Sequence, residues 1–395
     1  MRISSTTFHD DAVAQMDALQ AQLARTQQQL STGSKIQSAA DDPSGMAQVN
    51  QMNVEISAST QYVTNSNAVQ TNLKLEEQAL ADASNVMQEA NSLAVQANNS
   101  SLTAAQRQSI ATALQQDLQS LVSIANRTDS NGNYLFGGYA NTSTPFTQAG
   151  NTVTYNGANA VSQVQISANQ SISGGDTGAT AFMNIPTGNG TFTVSAASAN
   201  TGSASVGSSG LSNPSQWVPG TYTLSFTSPT AYQITNSTGT LVSSGTYANG
   251  DTISFNGAQL AVSGTPAAGD QFTIAPAGTT SAFSALANLV TTLSSSTLNT
   301  GQLATQIGAA LQQINNTITT FSNVSASVGS RINAITTAQS AAQTTQTSLQ
   351  ANISTLSSTD YAAAASQLSS EQLALQAAQE SYAAIAKLSL FQYLS

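Results

Sequence analysis

The chain of 395 residues has no cysteine, which excludes disulfides, thiol nucleophiles and thiolate metal sites together. It has one histidine, His9, and few charges of any kind: 7% of residues, against roughly 25% in ordinary soluble domains. Lys and Arg total 8 and Asp and Glu 18, for a net charge of -10. No cation falls between Arg127 and Arg331, so the clustered basic side chains that a nucleic-acid groove needs are missing. Between Ser130 and Thr359 the only charged residues are Asp176, Asp251, Asp270 and Arg331, which leaves the middle of the chain almost without acid-base or metal-binding groups. The expectation is a protein that is not an enzyme and takes no cofactor or metal. Apolar runs are also short: none approaches the ~18 residues of a membrane span, and Met1 to Leu30 has no signal-peptide core. Neither a membrane partner nor the general secretory route is expected.

What is present is sharply partitioned. Of 26 glycines, 21 lie between Ser130 and Thr280, as do seven of the 8 prolines. The flanks are rich in Ala, Gln, Leu and Ser, with apolar residues every three or four positions, the mark of amphipathic helices. The middle alternates with period two over Thr191–Val194, Thr221–Phe226, Asp251–Phe255 and Gln271–Ile274, with Asn-Gly and Gly-Asp turns between. The motif Asn151-Thr-Val-Thr-Tyr-Asn-Gly-Ala158 returns as Asp251-Thr-Ile-Ser-Phe-Asn-Gly-Ala258, which reads as one hairpin design used twice.

The helical seams can be followed residue by residue. Ala12, Met16, Leu19, Leu23, Thr26 and Leu30 alternate in steps of four and three up to a stop at Gly33. Asp42-Pro43 has the form of an N-cap followed by proline in the first turn, opening a helix phased by Tyr62, Val69, Leu73, Leu80, Ala83, Met87 and Ala94. Thr103 and Gln106 form a capping-box pattern for a third helix, with Ile110, Leu114, Leu118, Leu121 and Ile124 inward and Asp129 to Gly132 at its end. Val328, Ile332, Ile335, Gln339, Ala342, Gln346, Leu349, Ile353 and Leu356 hold the most regular seam. After a break at Ser357 to Asp360, Leu368, Leu375 and Tyr382 recur seven apart, with Ala378, Ile385 and also Glu371 alongside.

Clusters that suggest chemistry have simpler readings. His9-Asp10-Asp11 points its side chains in different directions on a helix and reads as a solvated helix start. Asp41 to Gly45 lacks the alternating acids and distal Glu of a calcium loop and reads as helix capping. Trp217, Tyr222 and Tyr232 would be the basis of an aromatic glycan-binding groove, the alternative in which the chain is a secreted adhesin; strand aromatics more commonly form core. The terminal seams are diluted by Ala12, Thr26 and Glu371. Such helices are marginal alone and gain most from burial against other molecules, so an assembly interface is expected at Met16, Leu19, Leu23, Leu30, Leu368, Leu375, Tyr382 and Ile385. The ends of the free subunit, about Met1 to Ser38 and Asp360 to Ser395, are expected to pair only on assembly.

These terminal segments resemble the flagellin superfamily of axial bacterial flagellar proteins. The resemblance is carried by Gln29-Leu-Ser-Thr-Gly-Ser-Lys-Ile36, Ala39-Ala-Asp-Asp-Pro-Ser-Gly45, Leu93 to Ala97, Asp129 to Gly132 and Val328-Gly-Ser-Arg-Ile-Asn333. Within the superfamily, Met1 to Ser5, a strand start at Tyr134-Leu-Phe-Gly-Gly138 and the close Leu388-Ser-Leu-Phe-Gln-Tyr-Leu394 are similar to the hook-filament junction family, the hook-associated protein 3 family. Flagellin differs at its C-terminus and where this chain reads Asn85 to Ala90, which leaves a divergent flagellin as the nearer alternative. The resemblance implies an adaptor whose subunits form a ring and join a hook-side hook-associated protein to flagellin. It implies export unfolded through the flagellar type III channel, with a cytoplasmic export chaperone on the C-terminal helix, here Tyr361 to Leu394.

The fold class expected is multidomain α+β, an elongated helical bundle or coiled coil built from both chain ends with an inserted all-β domain. Residues 1–41 and 360–395 are its terminal polymerisation segments, 42–147 and 281–359 its helical core with a β-hairpin, and 148–280 the insertion.

Overall fold

The computed structural model describes residues 5–393, with side chains for 7 and 9–384. Among these residues six α-helices flank a β-rich middle: α1 (Ser5–Thr32), α2 (Pro43–Ala97) and α3 (Ala104–Ala125) precede it, and α4 (Ala282–Ser294), α5 (Thr300–Ser357) and α6 (Tyr361–Tyr393) follow. The chain forms two compact units, residues 1–64 with 338–395, and residues 65–337.

In the first unit the helix boundaries follow capping chemistry. α1 stops where Gly33 turns to φ +71 and donates to the Gln29 carbonyl. Asp42 Oδ1 accepts from the Gly45 N–H at 2.9 Å and the Ser44 N–H at 3.1 Å, opening α2 at Pro43. Asp360 caps α6 by accepting from Ala362 and Ala363. The α5 seam is found as expected: Ile332, Gln339, Ala342, Gln346, Leu349, Ile353 and Leu356 are each half-buried and Val328 and Ile335 fully buried, with the six from Gln339 onward in this unit. α2 and α5 are tied here by Ser59 Oγ donating to the Ala342 carbonyl at 3.1 Å and Gln346 Nε2 to Thr60 Oγ1 at 3.2 Å.

The second unit has a helical core and a β core. The Thr103–Gln106 capping box is present at the start of α3, whose buried face is Ile110, Ala111, Leu114, Leu118, Leu121 and Ala125, with Ile124 only half-buried. Leu73, Leu80 and Met87 of α2, Leu286, Leu289 and Leu293 of α4, and Ile307, Ile314 and Phe321 of α5 are also buried. An aromatic cluster adds to this core. Phe182 lies 5.0 Å from Phe136, 5.5 Å from Phe146, 5.7 Å from Phe283 and 5.2 Å from Phe321, ring centre to ring centre. Tyr134 to Gly138 is not a strand: Tyr134 makes one isolated bridge to Thr128, and the segment turns to deliver Phe136 into the core, with Gly138 at φ +62 where a side chain would strike the Ala158 carbonyl.

Among the described residues, fourteen strands make only antiparallel pairs. β1 (Phe146–Ala149) with β2 (Thr152–Tyr155), and β3 (Gln163–Ser167) with β4 (Gln170–Ser173), are hairpins; Asn126 Nδ2 holds the Phe146 carbonyl at 2.8 Å, fastening β1 to the end of α3. β5 (Ile185–Pro186) pairs with β14 (Thr279–Thr280). Between them, β6 (Phe192–Ala196), β8 (Tyr222–Ser228), β9 (Ala231–Asn236), β10 (Leu241–Thr246) and β13 (Gln271–Pro276) form a sheet ordered β10-β9-β8-β13-β6, while β7 (Ser205–Leu211), β11 (Thr252–Phe255) and β12 (Ala258–Ser263) form one ordered β11-β12-β7. Phe192, Leu224, Phe226, Ile234, Leu260, Phe272 and Ile274 fill one core with the inner face of both.

The repeated motif is used in two different ways. Asn256 at φ 43 and Gly257 at φ 76 make the two-residue turn of the β11–β12 hairpin. The matching Asn156-Gly157 makes none; β2 instead pairs backward with β1 across Gly150, at φ +60, and Tyr155 Oη donates to the Phe136 and Ala158 carbonyls.

One buried charge on α3 has a measurable consequence. Asp117 is 8% exposed with Oδ2 unpartnered; burial, then the Glu89 carboxylate, push its carboxyl up to about 6. Because the folded value is the higher one, ionisation costs nothing below pH ~4, and the full cost, up to ~3 kcal/mol, applies above pH ~6. Asp117→Asn is therefore expected to raise the melting temperature at pH 7 and to flatten its fall between pH 4 and 6, as calorimetry across that range would read.

Candidate assembly interface

α1 and α6 pack on each other as an antiparallel pair. Their connections to α2 and α5 are laced together: Lys35 N donates to the Ser357 carbonyl at 2.7 Å, Thr359 N to the Gly33 carbonyl at 2.9 Å, and Ser34 bridges Ser358. Gly33 sits at φ +71, a left-handed backbone that favours glycine at this corner. The far end is fixed by His9, whose Nδ1 is 2.9 Å from Tyr382 Oη with the rings edge to face at 5.2 Å. His9 is thus part of the seam and half-buried, not the solvated helix start expected of it.

Every expected seam position on α1 is on the protected face: Ala12, Met16, Leu19, Leu23 and Leu30 are half-buried and Thr26 is 3% exposed. On α6, Leu368, Leu375, Ala378 and Tyr382 are half-buried, and Ala364 and Glu371 are buried. Ile385 lies outside the described side chains. The ordering is physically informative. Small or polar residues are the fully covered ones, while the large apolar side chains stay half open, because a single facing helix covers only one side of each. Val13 at 43% exposed and Leu373 at 69% add apolar surface beside the seam. Glu371, read as an acidic member of this seam, is buried in it; its Oε1 accepts from Gln367 Nε2 at 2.9 Å and its Oε2 has no partner.

The two helices pair within one chain. The laced corner explains it, since the two chain ends leave that corner side by side.

The central aromatics and acids singled out in the sequence have structural partners. Trp217 lies 5.0 Å from Phe192, its ring tilted by 34°, and 5.6 Å from Tyr222, itself 4% exposed, and Tyr232 covers Gly245, so the three aromatics belong to the β core and its cover. Two of the central acids hold backbone and the third an ion pair: Asp270 accepts from Thr201, Gly202 and Ala267, Asp251 from Ala248, and Asp176 pairs with Arg331. Among the described residues no helix is long and apolar enough to cross a membrane.

Comparison with known proteins agrees with this architecture. Residues 3–141 match the bacterial flagellin N-terminal helical region, and 195–276 match the D2-like domain of flagellar hook-associated protein 1. Flagellar hook-associated protein 3 of Salmonella typhimurium is 31% identical over 185 residues, 47% of this chain; the chain spans only 58% of that relative's length. The crystal structure of FlgL from Xanthomonas campestris is 35% identical with a TM-score of 0.68, covering 75% of this chain and 98% of that one. The flagellar junction protein FlgL from Legionella pneumophila is 28% identical with a TM-score of 0.71, covering 78% and 99%. With helical seams at both chain ends, a β domain between them and a solved relative matched over nearly its whole length, the chain belongs to the flagellar hook-associated protein 3 (FlgL) family.

Proposed function

We propose that the chain is a structural adaptor of the bacterial flagellum, joining a hook-side hook-associated protein to flagellin through a ring of its own subunits. The observation that carries this reading is the half-open α1–α6 seam: its large apolar side chains are incompletely covered by one another, which suits helices whose burial is completed by neighbouring subunits. The engagement of all three central acids in holding backbone or an ion pair supports a role without catalysis. Export through the flagellar type III channel, with a cytoplasmic chaperone on the helix from Tyr361, is part of the same proposal.

Deleting the gene tests it. Cells are expected to keep hooks, lose filaments and release flagellin into the medium, as electron microscopy and blotting of the supernatant would show. Filaments of normal length on the deletion strain would overturn the reading.

A further inference from the structure

Glu76 of α2 is buried with half of its carboxyl unsatisfied. It is 2% exposed; its Oε2 accepts from the Asp176 N–H at 3.2 Å, and its buried Oε1 meets no donor among the described residues. A carboxylate in that position forfeits the hydrogen bonds that water gives it, whereas a carboxylic acid has one oxygen that donates. An acceptor is at hand, since the Asp176 side chain lies within hydrogen-bonding reach of the Glu76 carboxyl. Asp176 is in turn paired with Arg331 of α5, which also donates to the Gly175 carbonyl at 3.0 Å.

The charges balance only with a proton present. Among the described residues, the titratable groups around Glu76 are Asp176 from the segment after β4, Arg331 from α5 and, across a small cavity, Asp129 and Tyr134 from the turn after α3. Asp129 is occupied in accepting from the Asn131 and Asn133 N–H groups at 2.8 and 2.9 Å. On α2 itself the positions three and four residues away, Asn72, Leu73, Ala79 and Leu80, carry no charge. Ionised, Glu76 would share one guanidinium with Asp176; protonated, it leaves Asp176 and Arg331 as a neutral pair. Burial, then the neighbouring Asp176, push the Glu76 carboxyl well above the usual range, and Arg331 offsets only part of this.

We propose that one proton, held between the Glu76 and Asp176 side chains, closes a clasp of three elements, α2, the segment from Gly174 to Gly178 and α5, and that the clasp opens where alkali removes it. The acid O–H donates to the Asp176 carboxylate, that carboxylate accepts from Arg331, and the Asp176 N–H returns to Glu76. The segment so held leads into Phe182; its other fastenings are Gly174 N to the Ser162 carbonyl and Gly178 N to the Phe136 carbonyl, both at 2.9 Å. Because the folded value is the higher one, the stability tied to this proton is whole below about pH 4.5, the ordinary glutamate value, and is lost as the pH rises through the folded value. No spacing motif announces the clasp, because its three members come from separate stretches of chain.

Carbon-13 NMR of the full chain labelled at the glutamate carboxyls tests it, since the sequence holds only Glu55, Glu76, Glu77, Glu89, Glu371 and Glu380. At pH 7 one signal, the one missing from Glu76→Gln, is expected at the position of a protonated carboxyl. As the pH is raised that signal should move to the ionised position. With the same midpoint, the amides of Asp176 and Gly178 should exchange with solvent roughly tenfold faster than the intrinsic effect of pH on exchange explains. In Glu76→Gln, whose amide supplies a donor and an acceptor without charge, exchange there should stay slow over the same range. Glu76→Asp removes the same signal and identifies it if Glu76→Gln folds poorly. Ionised positions for every glutamate at pH 7, or exchange at Asp176 and Gly178 that stays flat while the Glu76 signal titrates, would overturn the proposal.

Discussion

Replacing both Leu23 and Leu375 by aspartate is expected to abolish filament attachment while leaving the main melting transition of the subunit nearly unchanged. Both leucines lie on the α1–α6 seam and are half-buried there, outside the unit of residues 65–337 that holds most of the apolar core. Covering a leucine fully contributes roughly 1.5 to 3 kcal/mol, and a carboxylate forced into the same place without a partner costs more. Repeated in every subunit of a ring, that penalty removes the interface, whereas the core of α2 to α5 is untouched. The measurements are filament counts by electron microscopy and calorimetry of the purified protein. Attached filaments at the normal frequency would remove the seam from the assembly interface. A two-helix pair whose large side chains stay half open is also marginal alone. In the free subunit, amides of Leu19 to Leu30 should therefore exchange with solvent much faster than those of Leu114 to Leu121; equal protection would mean that the pair needs no neighbours.

The seams were legible because a three-four repeat in an Ala, Gln and Thr background is a one-dimensional signal. Each of the nine α5 positions from Val328 to Leu356 is less exposed than its neighbours on the outer face. Strands were legible only where large side chains alternate, as in β8 and β13. β7 reads Ser-Val-Gly-Ser-Ser-Gly-Leu and β10 is mostly exposed, so neither carries a period, and their place is set by pairing with β12 and β9. The repeated motif shows the same limit: identical turn residues close a hairpin only when the next segment can pair, which Ala258 onward does and Ala158 onward does not. His9 with Tyr382 and Glu76 with Asp176 and Arg331 are contacts between distant segments. No local pattern contains them.

The border of the β insertion is the other place where structure and sequence differ, and it has a large expected effect. The sequence reading starts the inserted β domain at residue 148. In the structure, Asp176, Phe182 and Ile185 lie beyond that point yet serve the helical core: Asp176 pairs with Arg331 of α5, and Phe182 is fully buried among four other phenylalanines. The separable part begins after β5. Thr187 N donates to the Gly278 carbonyl at 3.0 Å and Gly278 N to Thr187 Oγ1 at 2.9 Å, so the chain enters and leaves the β core through one narrow ladder. Deleting Gly188 to Ala277 and joining the ends with a short glycine linker is expected to keep the helical core folded and the hook-filament joint working. Stability should still fall. Gln302 Nε2 loses the carbonyls of Ala197, Ser198 and Asn200, Asn299 Nδ2 loses that of Asn200, and the first turns of α5, buried at Gly301 and Thr305, open to solvent. Deleting from Gly174 to Ala277 instead removes Phe182, a loss of about 3–5 kcal/mol in itself, along with the partner of Arg331. That variant should unfold tens of degrees lower or fail to accumulate, and motility should be lost with it. The two deletions thus give opposite results if the joint resides in the helices. Loss of motility with the shorter deletion, while the protein is exported and melts as a folded core, would show instead that the β domain carries contacts between subunits.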